Sequence, residues 1–201
     1  MKRWLAVIAL VALSAVQPVC ANNLLIVGDS ISAAFGLDTE QGWVQLLKNR
    51  LKEQGYSHQV HNASVSGDTT SGGLARLPKL LAEHQPKVVI IELGGNDGLR
   101  GQPLGQVQQN LSRMTELAQQ AGAQVLLLGM QLPPNYGPRY TQGFAALYPK
   151  IAAEYEAALV PFFLEGVGGV LGMMQGDGVH PSAQAQPILL ENVWTVLKDQ
   201  L

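Results

Sequence analysis

Cysteine is nearly absent: the chain of 201 residues has one, Cys20, inside an N-terminal stretch unlike the rest. Residues 22–201 therefore have no disulfide to staple them and no thiol nucleophile, and the fold has to rest on its hydrophobic core. Charge is sparse too, at 14% of residues, with no block of Lys or Arg and no basic–aromatic patch. That argues against nucleic acid as a partner. Aromatic residues make up 6%, too few to favour a surface that stacks sugar rings. No apolar run reaches the ~20 residues that a membrane-spanning helix needs. Three sequence signatures are missing as well. Without Gly-Lys-Ser/Thr there is no P-loop, and no Gly-x-Gly-x-x-Gly opens the first helix for a dinucleotide. Without Gly-x-Ser-x-Gly there is no strained elbow of the α/β-hydrolase kind.

What is present begins with residues 1–21. Lys2 and Arg3 form a charged start, Leu5 to Val16 an apolar centre, and Val19-Cys20-Ala21 a small-residue cleavage site. This is the pattern of a secretory signal peptide, cut after Ala21. Of the 13 basic residues the cut removes Lys2 and Arg3 and all 15 acidic ones stay, so the net charge of −2 becomes −4. Export from a Gram-negative cell leads to the periplasm, with release to the medium as second choice. Neither compartment supplies ATP or NADH, and no cofactor is expected. Residues 22–201 are long enough for one domain with a real core, and 47% apolar residues exclude a disordered chain. Nothing in them demands more than a monomer.

Apolar runs and helical stripes alternate along this domain. Strands are predicted at Leu24–Asp29, His58–Ala63, Lys87–Leu93, Ala123–Gly129 and Ala158–Phe163, most lacking the polar alternation of a half-exposed sheet. Helices are predicted at Gln41–Gln54, Ser71–Glu83, Pro103–Gln120, Thr141–Ala157 and Ser182–Leu201. Pro78 implies a kink or a late start in the second of these, and the fourth is interrupted near Pro149. The fold class is α/β: a three-layer sandwich with a five-stranded parallel sheet, helices on both faces and 2-1-3-4-5 as the common order.

Polar clusters follow four of the five strands: Gly28-Asp29-Ser30, Ala63 to Asp68, Gly94-Gly95-Asn96-Asp97, and Asp177-Gly178-Val179-His180. All fall on the carboxyl rim of the sheet, where open α/β sheets bind ligands. Ser30 is the candidate nucleophile and His180, whose imidazole type titrates near neutrality, the candidate base. Asp177, three residues earlier, is close enough in a tight turn to accept the other ring N–H. A tetrahedral oxyanion needs donors aimed at it, and the backbone N–H of Ser30, that of Gly67 and the side-chain amide of Asn96 are the candidates. Each motif alone has a plainer reading. Gly-Asp-Ser and Gly-Gly-Asn-Asp are common turns, and Asp-x-x-His is also a metal pair or a cap, although a metal would want further ligands. His58, His61 and His84 read as surface or packing residues, and Asp29, Asp68 and Asp97 as turn-holding ones. Leu99, Leu104, Met130, Leu132, Tyr136 and Met174 are candidates for an apolar groove beside Ser30, with Pro133–Pro138 as a wall.

The order Gly28-Asp29-Ser30, Gly67, Gly94-Gly95-Asn96-Asp97, Asp177-x-x-His180 resembles the SGNH (GDSL-like) hydrolase superfamily. Within it, residues 25–36, 62–70 and 92–101 are similar to the exported bacterial TesA-type enzymes, the thioesterase I, arylesterase and lysophospholipase L1 group. The resemblance implies a flavodoxin-like sandwich. It implies hydrolysis of carboxylic esters, thioesters and lysophospholipids through an acyl-enzyme on Ser30, with no metal. It also implies that the loop after Asn96, residues 97–103, moves to admit acyl chains.

Overall fold

A computed structural model describes residues 22–201; the predicted signal peptide lies outside the described residues. Five parallel strands form one sheet in the order β2-β1-β3-β4-β5, as expected: β1 (Asn23–Gly28), β2 (Gln59–Asn62), β3 (Val88–Glu92), β4 (Gln124–Leu128) and β5 (Ala158–Val160). The central strands are continuous apolar runs because helices cover both sides of them. Leu24, Leu25, Ile26 and Val27 are fully buried, as are Val89 and Ile90 beside them. Each such side chain contributes roughly 1.5–3 kcal/mol by leaving water, which makes β1 and β3 the spine of the molecule. β2 is an edge strand, half-exposed along its length.

The helices are α1 (Trp43–Glu53), α2 (Thr70–His84), α3 (Gly95–Leu99), α4 (Leu104–Gln120), α5 (Pro138–Ala145), α6 (Leu147–Tyr155) and α7 (Gln186–Leu197). α1 packs on α7, while α2 packs on α4 and α4 on α6, giving the two outer layers. The end of α1 is set by Gly55, whose φ of 77° lets Tyr56 N–H reach back to Leu51 and Gly55 N–H to Lys52.

The structure refines four of the expected boundaries. α2 runs through Pro78 from an N-cap at Thr69, whose hydroxyl accepts from Gly72 N–H, so the helix does not start late. The predicted helix 141–157 is two helices, and the interruption expected near Pro149 falls at Ala146. The reason is the missing N–H: Pro149 sits in the first turn of α6 and cannot donate to the carbonyl of Ala145. β5 stops at Val160 because Pro161 has no N–H for the ladder, and Gly129 takes the pairing over, donating to Val160 and accepting from Phe163. The segment after Asn96, read as loop from residue 97, opens as the helical turn α3.

Candidate active site

Ser30 lies in the turn that leaves the carboxyl end of β1, 8% exposed. The turn is closed by backbone bonds from Ala33 N–H to Asp29 O and from Phe35 N–H to Ser30 O. Its geometry is held from below by Glu92, the last residue of β3 and the register partner of Gly28. Glu92 is fully buried, and its Oε2 accepts from Asp29 N–H (3.1 Å), Ser32 N–H (3.3 Å) and the Ser32 hydroxyl (2.7 Å). Gly28 is glycine because that carboxyl passes directly over it. A Cβ there would stand 2.7 Å from Glu92 Oε2 and 2.8 Å from Ser64 Oγ.

His180 comes from the loop between β5 and α7, 150 positions from Ser30, and its Nε2 lies 2.9 Å from Ser30 Oγ. Its Nδ1 lies 2.6 Å from Asp177 Oδ2. Asp177 Oδ1 accepts the backbone N–H of Val179 (2.9 Å) and of His180 (3.0 Å), so one carboxylate folds the turn and orients the ring. Those bonds, led by the His180 N–H and ring, hold the Asp177 carboxyl down at about 2. The loop is fastened to the body. Gln175 N–H donates to His180 O, and its side chain donates to Pro181 O and to Phe35 O. Phe35 lies against the His180 ring with centroids 4.5 Å apart.

Asn96 stands in the first turn of α3. Gly94, at φ 115°, swings the chain from β3 into that turn, a conformation only glycine holds without strain. Asn96 Nδ2 donates to Asp29 Oδ2 at 3.0 Å, which leaves its second N–H for another acceptor. Gly67 is exposed in the loop after β2, and its carbonyl accepts from Arg100 Nη2 at 3.1 Å. Among the described residues, neither Ser30 N–H nor Gly67 N–H has an acceptor. Arg76 ties this loop to the nucleophile strand: Nε pairs with Asp68 Oδ2 (2.8 Å), and the other nitrogens donate to Ala63 O and Gly28 O.

Two carboxyl groups sit under the site. Burial raises Asp29 to about 6 against its hydrogen bonds from Ile31 N–H and Asn96. Burial, with the Asp29 charge adding to it, pushes Glu92 well above the usual carboxylate range. The expected turn-holding role of Asp29 is seen in its bond from Ile31 N–H. Asp97 does more than hold its own turn: it accepts Thr70 N–H and the Thr70 hydroxyl, joining α3 to the start of α2.

A pocket of about 520 Å³ opens beside Ser30, Asn96 and His180. Of the six groove candidates, Leu99, Met130, Leu132 and Met174 line it; Leu104 and Tyr136 do not. Tyr136 instead donates its hydroxyl to Leu99 O, bracing the wall to which Pro133 and Pro134 contribute. Sequence reading missed Phe162 and Leu164, which follow the short β5, and missed Glu92, Gln175 and Phe35 as supports. The signal for Glu92 was there: it is the one acid in a strand otherwise made of Val and Ile. His58, His61 and His84 are not among the lining residues; His61 and His84 stack on each other.

The model of the GDSL-like lipase/acylhydrolase family matches residues 26–187, from β1 into α7 and so across every element of this site. The chain belongs to that family. It is a hydrolase, and its named relatives act on esters. It is 63% identical over 194 residues to "Esterase TesA" of Pseudomonas aeruginosa, covering 96% of each chain. It is 43% identical to "Thioesterase 1/protease 1/lysophospholipase L1" of Escherichia coli, covering 94% of this chain and 89% of that one. A crystal structure of TesA superposes with a TM-score of 0.88 at 65% identity, covering 89% of this chain and 99% of the other. The psychrotrophic esterase EstA from Pseudoalteromonas, solved inhibited by monoethylphosphonate, superposes at 0.85 with 40% identity and coverage of 89% and 97%. No helix among the described residues of this family member is long and apolar enough to cross a membrane.

Proposed function

We propose that this GDSL-family hydrolase cleaves acyl esters, acyl thioesters and lysophospholipids by acyl transfer through Ser30. The observation that carries the reading is the hydrogen-bonded line from Asp177 Oδ2 to His180 to Ser30 Oγ, at 2.6 and 2.9 Å. In this mechanism His180 Nε2 takes the Ser30 proton while Oγ bonds to the acyl carbon. The carbonyl electron pair moves onto oxygen, which the N–H groups of Ser30 and Gly67 and the free N–H of Asn96 Nδ2 receive. Asp177 holds the ring in the tautomer that accepts at Nε2 and stabilises the imidazolium. Collapse expels the alcohol or thiol, which leaves with the proton from His180. Water then repeats the cycle on the acyl-enzyme.

The pocket supports an acyl substrate. Ile31, Leu99, Met130, Leu132, Leu164 and Met174 offer an apolar wall beside a rim that holds the few polar groups. No step calls for a metal or a cofactor. The chain acts as a monomer in the periplasm once residues 1–21 have been removed after Ala21. The intact mass of the protein from a periplasmic extract checks that cut: a mass that includes residues 1–21 refutes it.

The decisive experiment is Ser30→Ala, assayed on a chain-length series of p-nitrophenyl esters with lysophosphatidylcholine and palmitoyl-CoA alongside. Hydrolysis of all of them is lost while circular dichroism stays that of the parent, and a fluorophosphonate probe that labels the parent no longer labels the variant. Full activity in Ser30→Ala overturns the reading.

A further inference from the structure

We propose that Glu92 is a positioning residue for the hydrolysis: its buried carboxyl fixes the backbone on both sides of Ser30 and, through Asp29, the amide of Asn96. The mechanism above makes no use of this acid. It is not among the residues that line the pocket and makes no hydrogen bond to Ser30 Oγ, and it stands 0% exposed in the central layer of the molecule.

Its connections are what single it out. One oxygen, Oε2, accepts from the N–H of Asp29 and from both the N–H and the hydroxyl of Ser32. These donors lie one residue before and two residues after the nucleophile. The Ser32 hydroxyl also accepts from Trp43 Nε1 at 3.2 Å, and the Ser32 carbonyl accepts from Asn62 Nδ2 at 2.8 Å. The turn is thereby pinned to β3, to α1 and to the end of β2 at once. Asp29, held by its N–H, presents Oδ1 to Ile31 N–H and Oδ2 to Asn96 Nδ2. A single carboxyl thus sits behind two parts of the proposed chemistry, the serine and one oxyanion donor.

The other oxygen of Glu92 is buried with no hydrogen-bond partner among the described residues, and so is the neighbouring Ser64 hydroxyl. Burying an acid with an orphaned oxygen is costly, and a fold selected only for stability fills such a place with an apolar side chain. Groups left under such a burden cluster where function holds them. The groups that face Glu92 are the Asp29 carboxyl, which adds negative charge, and the Tyr148 phenol on α6, which feels the Glu92 charge in turn. Burial and the Asp29 charge push the Glu92 carboxyl well above the usual carboxylate range, away from the charged form. What the turn needs is the acceptor oxygen rather than the charge.

That gives the conservative variant a sharp role. Glu92→Gln keeps an acceptor oxygen of the same reach, whereas Glu92→Leu fills the space and leaves two N–H groups and one O–H with nothing to donate to. Misplacing a reacting group by about 1 Å costs on the order of 10²-fold, so Glu92→Leu lowers kcat by about 10- to 100-fold. KM changes little, because the acyl pocket is untouched, and the rate of fluorophosphonate labelling falls in parallel with kcat. Glu92→Gln recovers kcat to within about tenfold of the parent, the scale of one altered hydrogen bond.

The experiment measures kcat, KM and labelling rate for Glu92→Leu, Glu92→Gln and Ser32→Ala, with near-ultraviolet circular dichroism as the check of packing. Ser32→Ala removes one of the three donors and is expected to lose kcat by a smaller factor than Glu92→Leu. It carries the test if Glu92→Leu does not fold. Three results overturn the inference: Glu92→Leu folded with parental kcat, Glu92→Gln no better than Glu92→Leu, or Ser32→Ala with parental kcat when Glu92→Leu is unfolded. The inference rests on Ser30 as nucleophile. An active Ser30→Ala sinks that reading, whereas an inactive Ser30→Ala beside a fully active Glu92→Leu sinks only the role of Glu92.

Discussion

The side-chain amide of Asn96 donates to Asp29 Oδ2 at 3.0 Å, across 67 positions of sequence. The bond uses one of the two hydrogens on Nδ2 and fixes the direction of the other. If that free N–H receives the oxyanion, Asn96→Ala removes an interaction made in the transition state and leaves the acyl pocket intact. The expected loss is about 10²–10³-fold in kcat with KM nearly unchanged. Steady-state kinetics on p-nitrophenyl esters read it, and an effect confined to KM makes Asn96 a substrate contact instead.

The partner in that bond has its own signature in stability. The Asp29 carboxyl has an ordinary value of 3.8 and stands at about 6 in the fold, mainly through burial. Between those values the folded state keeps a proton that the unfolded chain has released. The contribution of Asp29 to folding stability therefore falls as pH rises from about 4 to 6 and does not return above it. Asp29→Asn carries no charge and escapes this loss. At pH 7 the variant is expected to be more stable than the parent, by on the order of 1–3 kcal/mol. It is also expected to be slower, because an amide oxygen accepts more weakly than a carboxylate from Ile31 N–H and Asn96. Urea unfolding at pH 4 and pH 7 measures it: the advantage of Asp29→Asn grows between the two. An equal advantage at both pH values refutes the argument.

The shift at Asp177 has the opposite sign. The backbone and ring donors of His180, with the Val179 N–H, hold its carboxyl at about 2 against an ordinary 3.8. Its contribution to folding is therefore present above about pH 4 and is lost as pH falls through about 2. Asp177 stays ionised through the whole range in which an esterase is assayed, so its titration does not set the acid side of the pH–rate profile. Asp177→Asn should reduce kcat by about 10²–10⁴-fold by misorienting the imidazole. An Asp177→Asn variant that keeps the parental kcat at neutral pH shows that the assignment of Asp177 as orienter is wrong.

Much of this is legible in the sequence. β1, β3 and β4 are apolar runs because both faces are covered, and a run of that kind declares itself in sequence. Asp177 and His180 are three residues apart, so their pairing is local chemistry. Ser30 and His180 are 150 positions apart, and only the topology, with every carboxyl end on one rim, brought them together. What was not legible has physical causes. Gly94 to Arg100 reads as a turn, since three of its residues are glycine. It becomes helical because Gly94 adopts a positive φ and accepts Gly98 N–H, while Asn96 accepts Arg100 N–H. The break at Ala146 is displaced from Pro149 because a proline's missing donor is felt a turn earlier. The role of Glu92 is not legible because its strand signal is apolar, and the meaning of one acid there depends on which backbone N–H groups it meets.

Gly28 offers the most local test of how tightly the site is built. Its φ needs no glycine; its surroundings do. A Cβ at this position meets Glu92 Oε2 at 2.7 Å, Ser64 Oγ at 2.8 Å and Ser32 Cβ at 2.9 Å, all on different segments. Besides its bonds to Glu92, Ser32 is fixed by two others, from Trp43 Nε1 and Asn62 Nδ2, and Glu92 by its three donors, so neither yields without moving the turn that holds Ser30. Overpacking of this kind typically costs about 1–3 kcal/mol, and here part of that strain is relieved by shifting the nucleophile. Gly28→Ala should therefore lose activity out of proportion to its stability: a fall of 10-fold or more in kcat from about 1 Å of displacement, in protein that remains folded at 25 °C. Thermal unfolding and the rate of fluorophosphonate labelling, measured on the same preparation, separate the two effects. A Gly28→Ala protein that labels at the parental rate shows that the turn has room which its packing denies.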